Sequence, residues 1–151
     1  MSVKRKLAFN DADAVAGEVK RLRVGYTRAG NWTLPQVCWH LNMVMTFTMR
    51  AGPHAAVEVG PEANAKLAKI LEGGEIVGKI EAPERVVPPV TAGEGDVEAF
   101  LATLEKFKVF AGPFAPHRLF GEMGFEEYRR LHLIHCGHHL GFLAPDETTK
   151  I

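Results

Sequence analysis

"TLPQVCWHLNMVMTFTMRAG", residues 33–52, admits two readings, and the choice between them decides the fold. Its middle, MVMTFTM, alternates as a half-buried strand would. Its length argues the other way, because typical strands are much shorter. So does its beginning. Thr33 is placed to be an N-cap, Pro35 falls in the first turn, and Gln36 occupies the capping-box position. Gly52-Pro53 then stops the run. The segment reads as a helix of nearly twenty residues.

The flanking sequence fits a helical protein. Asn10 or Asp11 can cap a first helix in which Ala12, Val15, Val19 and Leu22 keep helical spacing. Glu18, Lys20 and Arg21 fall on its opposite face. Val24 to Asn31, with two glycines, reads as a connection. PEANAKLAKILEGG, from Pro61, reads as a shorter helix ending at Gly73-Gly74. A long Pro-rich connection follows between Gly73 and Asp96, where Pro88 and Pro89 exclude a helix or a central strand. Long connections of this kind are often functional or cross the bundle, and this one is expected to run outside it. Asp96 is the expected cap of the next helix, with Val97, Phe100, Leu101, Leu104 and Phe107 as its apolar stripe. Gly112-Pro113 ends it. The last helix is expected from Phe125 to Leu143, with Gly124 as its N-cap and Pro145 beyond its end. Four long helices, one short helix and no convincing hairpin predict an all-α fold. The expected architecture is an antiparallel up-and-down four-helix bundle formed by residues 1–151 as one domain.

Composition narrows the partners. The chain has 151 residues, 46% hydrophobic and 24% charged, with 18 basic side chains against 18 acidic ones. Such a balance argues against a nucleic-acid backbone as partner. No apolar run approaches membrane-spanning length, which argues against a membrane partner. The basic N-terminus, MSVKRKLAFNDADA, is interrupted at Asn10 and Asp11 and fails as a secretory signal. Two cysteines, Cys38 and Cys136, are too few for a disulfide framework and point to reduced thiols in the cytoplasm.

The chemistry is concentrated near the C-terminus. Of seven histidines, four lie at positions 132, 135, 138 and 139. On a helix, His135 and His139 are separated by roughly 40° around the axis and about 6 Å along it, so both can reach one ion. His138 is rotated roughly 60° to the other side of His135 and should line a pocket or hydrogen-bond nearby. His132 shares the stripe but sits about 10 Å from His139 along the axis, too far to share an ion with it. A catalytic zinc site usually has three protein ligands and an open position. His40, in the middle of the second helix, is the best third ligand, whereas His54 and His117 fall in loops beside prolines. Spacing alone leaves two readings open: a three-histidine metal site, or a hydrogen-bonded core histidine together with a surface histidine stripe.

NWTLPQVCWHL resembles the W-s/t-x-x-Q-x-x-x-H-L segment of DinB-like (YfiT-like) proteins. PHRLFGEMGFEEYRRLHLIHCGHHL is similar to that superfamily's HPxFG…EEW…H-x-x-H-H segment, in a branch of uncharacterised bacterial proteins. The likeness runs in order over most of the chain. It implies a four-helix bundle with a divalent metal, zinc or nickel, at one end, held by His40, His135 and His139. It also implies a homodimer and a small-molecule partner. Relatives with known activity include metal-dependent S-transferases that use a low-molecular-weight thiol, and an isomerase of a thiol conjugate. Four positions depart from the pattern, one of them Arg118, which follows His117 where Pro is usual. Leu140 and Phe142 stand where relatives often carry Arg and Gln, and Tyr128 stands where Trp is common.

Other residues carry competing readings. Gln36, one turn before His40, either completes a capping box, the simpler account, or hydrogen-bonds the imidazole and fixes its tautomer. Cys136, beside the His135/His139 stripe, reads more simply as a small buried residue than as a fourth ligand or a reactive thiol. Glu126 and Glu127 suit the positive end of the last helix. No phosphate-binding Gly-rich loop, nucleophile elbow or HExxH motif is present. The expected function is therefore a divalent-metal-binding protein with an open three-histidine site, acting as a thiol S-transferase or a metal-dependent hydrolase. The alternative is a non-catalytic small-molecule-binding or interaction bundle in which the histidines are structural.

Overall fold

The computed structural model describes residues 4–76 and 84–146. The protein is an all-α bundle with one small sheet. Its helices are α1 (Ala12–Val24), α2 (Leu34–Thr48), α3 (Pro61–Gly73), α4 (Glu94–Val109) and α5 (Phe125–Leu140). Two short strands, β1 (Tyr26–Arg28) and β2 (Leu143–Pro145), and a 3-10 turn at Glu84–Val86 complete it. The ambiguous segment is helical from Leu34 to Thr48, 15 residues rather than nearly twenty, with Met49 as the C-cap. Thr33 Oγ1 accepts from the Gln36 amide, and Gln36 Oε1 accepts from the Thr33 amide at 2.9 Å, so the capping box is complete. Strand alternation in MVMTFTM loses to this start signal and to packing, because α2 lies against α4 along much of its length.

The core lies between α1, α2, α4 and α5. Val15, Val19 and Leu22 meet Val37, Leu41 and Met45 from α2, Phe100, Leu104 and Phe107 from α4, and Leu140 from α5. Removing this apolar surface from water is the main force holding the four helices together. A second, smaller cluster joins α3 to the outer side of α5 through Ile70, Leu131 and Ile134.

Several local expectations need correction. Asp96 is not the N-cap of α4. The helix begins at Glu94, Gly93 is the cap, and Asp96 sits one turn in, where Oδ2 accepts from the Gly93 amide at 2.9 Å. Glu18 is buried rather than on an exposed face, because Arg5 and Arg21 pair with its two oxygens at 2.7 and 3.0 Å. The stretch after α1 is not merely a connection, since β1 pairs antiparallel with β2 in the register Tyr26↔Pro145 and Arg28↔Leu143. That pairing joins segments more than a hundred positions apart, and three-residue strands carry no readable period.

The last helix ends at Leu140 rather than Leu143. The N-terminal segment crosses there. Arg5 N donates to the Gly141 carbonyl at 2.7 Å, and the Arg5 guanidinium donates to the Leu143 carbonyl. A Cβ on Gly137 would stand 2.7 Å from the Leu7 carbonyl oxygen, so glycine is what lets the two backbones approach. The Pro-rich connection was expected outside the bundle. Residues 77–83 lie outside the described residues. The described part does not stay outside, because Val86 is buried and its carbonyl reaches α2.

Candidate metal centre

His40 projects from the middle of α2 toward α5. Its Nδ1 lies 2.7 Å from the Val86 carbonyl oxygen. A carbonyl can only accept, so Nδ1 carries the hydrogen and the neutral ring presents a lone pair at Nε2. That Nε2 lies 3.2 Å from His135 Nε2, which lies 3.0 Å from His139 Nε2. Among the described residues, His40, His135 and His139 form a group of potential metal ligands whose ligand atoms all fall within 4.8 Å of one another. Nitrogens held at about 2.0–2.1 Å by one tetrahedral zinc lie about 3.3 Å apart. The three imidazoles therefore fit a single divalent ion and can hold one.

Electrostatics favour the neutral, ligating form. Burial holds all three imidazoles below the usual histidine range. For His135 and His139 the neighbouring histidines add to the effect, while for His40 the Val86 hydrogen bond opposes it. Trp32 covers the group, stacking on His139 at 5.2 Å between centroids and tilting over His40 at 5.1 Å. His40 keeps its ring orientation through the Val86 bond, the kind of support that fixes metal-binding histidines.

The neighbouring candidates behave differently from one another. Gln36 makes no hydrogen bond to His40. Its amide oxygen serves the helix cap and its nitrogen reaches the Pro89 carbonyl at 3.5 Å, so the second reading of Gln36 is withdrawn. Cys136 is fully buried in the bundle core, and burial pushes its thiol far up. Cys38 is likewise in the core, with its thiol pushed up to about 12 by burial. His138 lines the same cavity as the triad, and Lys4 Nζ lies 2.8 Å from its Nδ1. An ammonium only donates, so His138 carries its ring hydrogen on Nε2. His132 is buried one turn deeper than His135. Thr48 donates its hydroxyl hydrogen to the Met45 carbonyl, and His132 Nε2 donates to Thr48 Oγ1 at 2.8 Å. Burial brings its pKa down to about 3.

The triad stands at one end of a cavity of about 320 Å³. α5 supplies one wall through Tyr128, His132, His135 and His139, positions that follow one helical stripe. Four other lining residues were not among the site residues expected from the sequence. His117, set aside as a loop histidine, faces the cavity, as do Arg50, Arg85 and Arg118. Loops and helix ends carry these side chains, so periodicity gave no signal for them.

A family model described as "Protein of unknown function (DUF1569)" matches residues 1–146. No curated protein and no solved structure matches the chain. With nearly its whole length matched, this protein belongs to the DUF1569 family, whose function is unknown.

Proposed function

We propose that this protein is a DinB-like metalloenzyme that holds one divalent ion, zinc or nickel, through His40, His135 and His139. Its reaction is transfer of a thiol or hydrolysis of a small molecule bound in the adjoining cavity. The observation that carries the reading is the convergence of three neutral Nε2 atoms at the end of a cavity rather than inside a closed core. Structural zinc sites close their coordination with four protein ligands, whereas catalytic ones leave a position open. When bound, the ion supplies Lewis acidity, lowering the pKa of a thiol or of water held against it.

The chain's own residues have definite tasks in this scheme. Val86 fixes the His40 tautomer. His138, with Lys4 donating to its Nδ1, offers an Nε2 hydrogen to whatever occupies the cavity. Trp32 covers the triad and limits water access to it. Leu140 and Phe142, two of the departures from the DinB-like pattern, do not line the cavity, whereas Tyr128, another, does. Leu140 is in the core, and Phe142 packs against His138 and Lys4. They therefore do not decide what the cavity binds.

The buried free thiols, Cys38 and Cys136, support a reducing, cytoplasmic setting. Among the described residues no helix is long and apolar enough to cross a membrane. The DinB-like resemblance supports a homodimer, which light scattering at high protein concentration would test. The central test is elemental analysis and X-ray absorption of untagged protein. One divalent ion per chain, with imidazole ligands and an exchangeable light-atom ligand, is expected. A saturated site or no metal would overturn the reading in favour of structural histidines.

A further inference from the structure

The end of the cavity away from the triad has its own chemistry. Tyr128 is 2% exposed, and among the described residues its hydroxyl is the buried side-chain polar atom without a hydrogen-bond partner. A buried polar group without a partner costs on the order of 1–3 kcal/mol, and Tyr128 is one of the residues lining the cavity, so its hydroxyl is a candidate donor to an occupant. His117 stands beside it, with ring centroids 5.9 Å apart. The Leu119 and Phe120 amides both donate to His117 Nδ1, at 3.0 and 3.3 Å. Its hydrogen therefore sits on Nε2, and His117 offers a second donor.

Among the described residues, the formally charged side chains lining this end are basic. Arg50 and Arg85 both approach the face of Phe47, at 5.9 and 5.2 Å from its centroid, and both line the cavity with Arg118. All three arginines are exposed at its rim. The positive charge of Arg50 acts on the Tyr128 hydroxyl, and that of Arg85 on Arg118, which places these groups within electrostatic reach of one another. Among the described lining residues there is no Asp or Glu. Between this end and the triad the wall holds Val44, Ile70 and Leu131 together with Thr48 and His132, which are hydrogen-bonded to each other.

We infer that the Tyr128 end is an anion-binding subsite, and that the cavity takes a small amphipathic molecule with a carboxylate or phosphate group at one end. The anionic group accepts from the Tyr128 hydroxyl and His117 Nε2 and is drawn in by the arginine rim. The apolar body lies along Val44 and Leu131, and the far end reaches the triad. Tyr128 and His135 are seven positions apart on α5, so the ligand spans on the order of 10 Å. This deepens the metalloenzyme reading by naming its substrate class, but the subsite itself needs no metal.

The test is calorimetry on the full chain with phenylbutyrate, its neutral counterpart phenylbutanol, and inorganic phosphate, before and after chelation of metal. The acid should bind about tenfold or more tightly than the alcohol in both states, as expected for donors that meet a charge. Tyr128→Phe should weaken the acid about tenfold, leave the alcohol unchanged and leave the thermal midpoint equal or higher, since it removes an unsatisfied hydroxyl. Arg85→Gln should weaken the acid and phosphate but not the alcohol. Equal binding of acid and alcohol, or no binding of the acid, overturns the subsite. So does a preference that disappears on chelation, because the anion would then be held by the ion. So does Tyr128→Phe weakening both ligands alike. Absence of metal together with a persistent acid preference would sink the metalloenzyme reading and leave the subsite standing.

Discussion

His40 donates its Nδ1 hydrogen to the carbonyl oxygen of Val86, 2.7 Å away and 46 positions later in the chain. The bond decides which nitrogen faces α5. It also makes the segment after α3 part of the site, since a change in the backbone at Val86 would turn the imidazole away from His135 and His139. A backbone carbonyl in this role cannot be removed by side-chain mutation, so the tests must act on the histidines and their surroundings.

Metal content of single variants at neutral pH is the first test. His40→Ala, His135→Ala and His139→Ala should each empty the site almost completely, because two imidazoles rarely hold an ion well. His132→Ala should keep near-normal occupancy, since its Nε2 is committed to Thr48. His138→Ala should keep most of the metal. A variant set in which His138→Ala empties the site and His139→Ala does not would contradict the geometry of α5.

Acid should remove the metal and also weaken the metal-free fold. Metal binding requires neutral imidazole, so occupancy falls as pH drops through the imidazole range. Stability follows from His132 and His117, whose pKa values are lowered by burial to about 3 and about 4. The unfolded chain takes up protons near pH 6.5 while the native state does not. Their contribution is fully present above about pH 6.5 and is lost as pH falls toward the lowered native values, by up to about 1.4 kcal/mol per pH unit for each group. Thermal midpoints of chelated protein between pH 7 and pH 4 would show it. His132→Gln should flatten the curve, and an unchanged slope would argue against a neutral buried His132.

Gln36→Ala separates a cap from a group that supports the metal. It removes half of the capping box at the start of α2 and should cost about 1 kcal/mol in denaturant unfolding. Metal content should be unaffected. A loss of metal at full helix stability would restore the withdrawn reading of Gln36.

Gly137→Ala tests the crossing of the N-terminal segment over α5. Helix propensity alone would make alanine the better residue by about 1 kcal/mol. The Leu7 carbonyl, 2.7 Å from the new Cβ, should reverse the sign and destabilise by about 1–3 kcal/mol. Equal or increased stability would mean that residues 5–7 do not pack against α5 as described.

Much of this protein was legible without coordinates. Caps and apolar spacing located the five α-helices of the described residues, and the Thr33/Gln36 box resolved the strand-like MVMTFTM correctly. Helical geometry brought His135 and His139 to one stripe, and His40 was the candidate third member of the group. These are local facts, set by residues within one or two turns of each other. The tertiary structure decided the rest, because it depends on contacts between distant segments. The Val86 carbonyl behind His40, the β1–β2 pairing, the early end of α5 under Arg5 and the burial of Glu18 all join residues that share no sequence period. The cavity's second end was likewise illegible. His117, Arg50 and Arg85 sit in loops, turns or at a helix end, where no periodicity predicts direction, and only folding sets them around the Tyr128 hydroxyl.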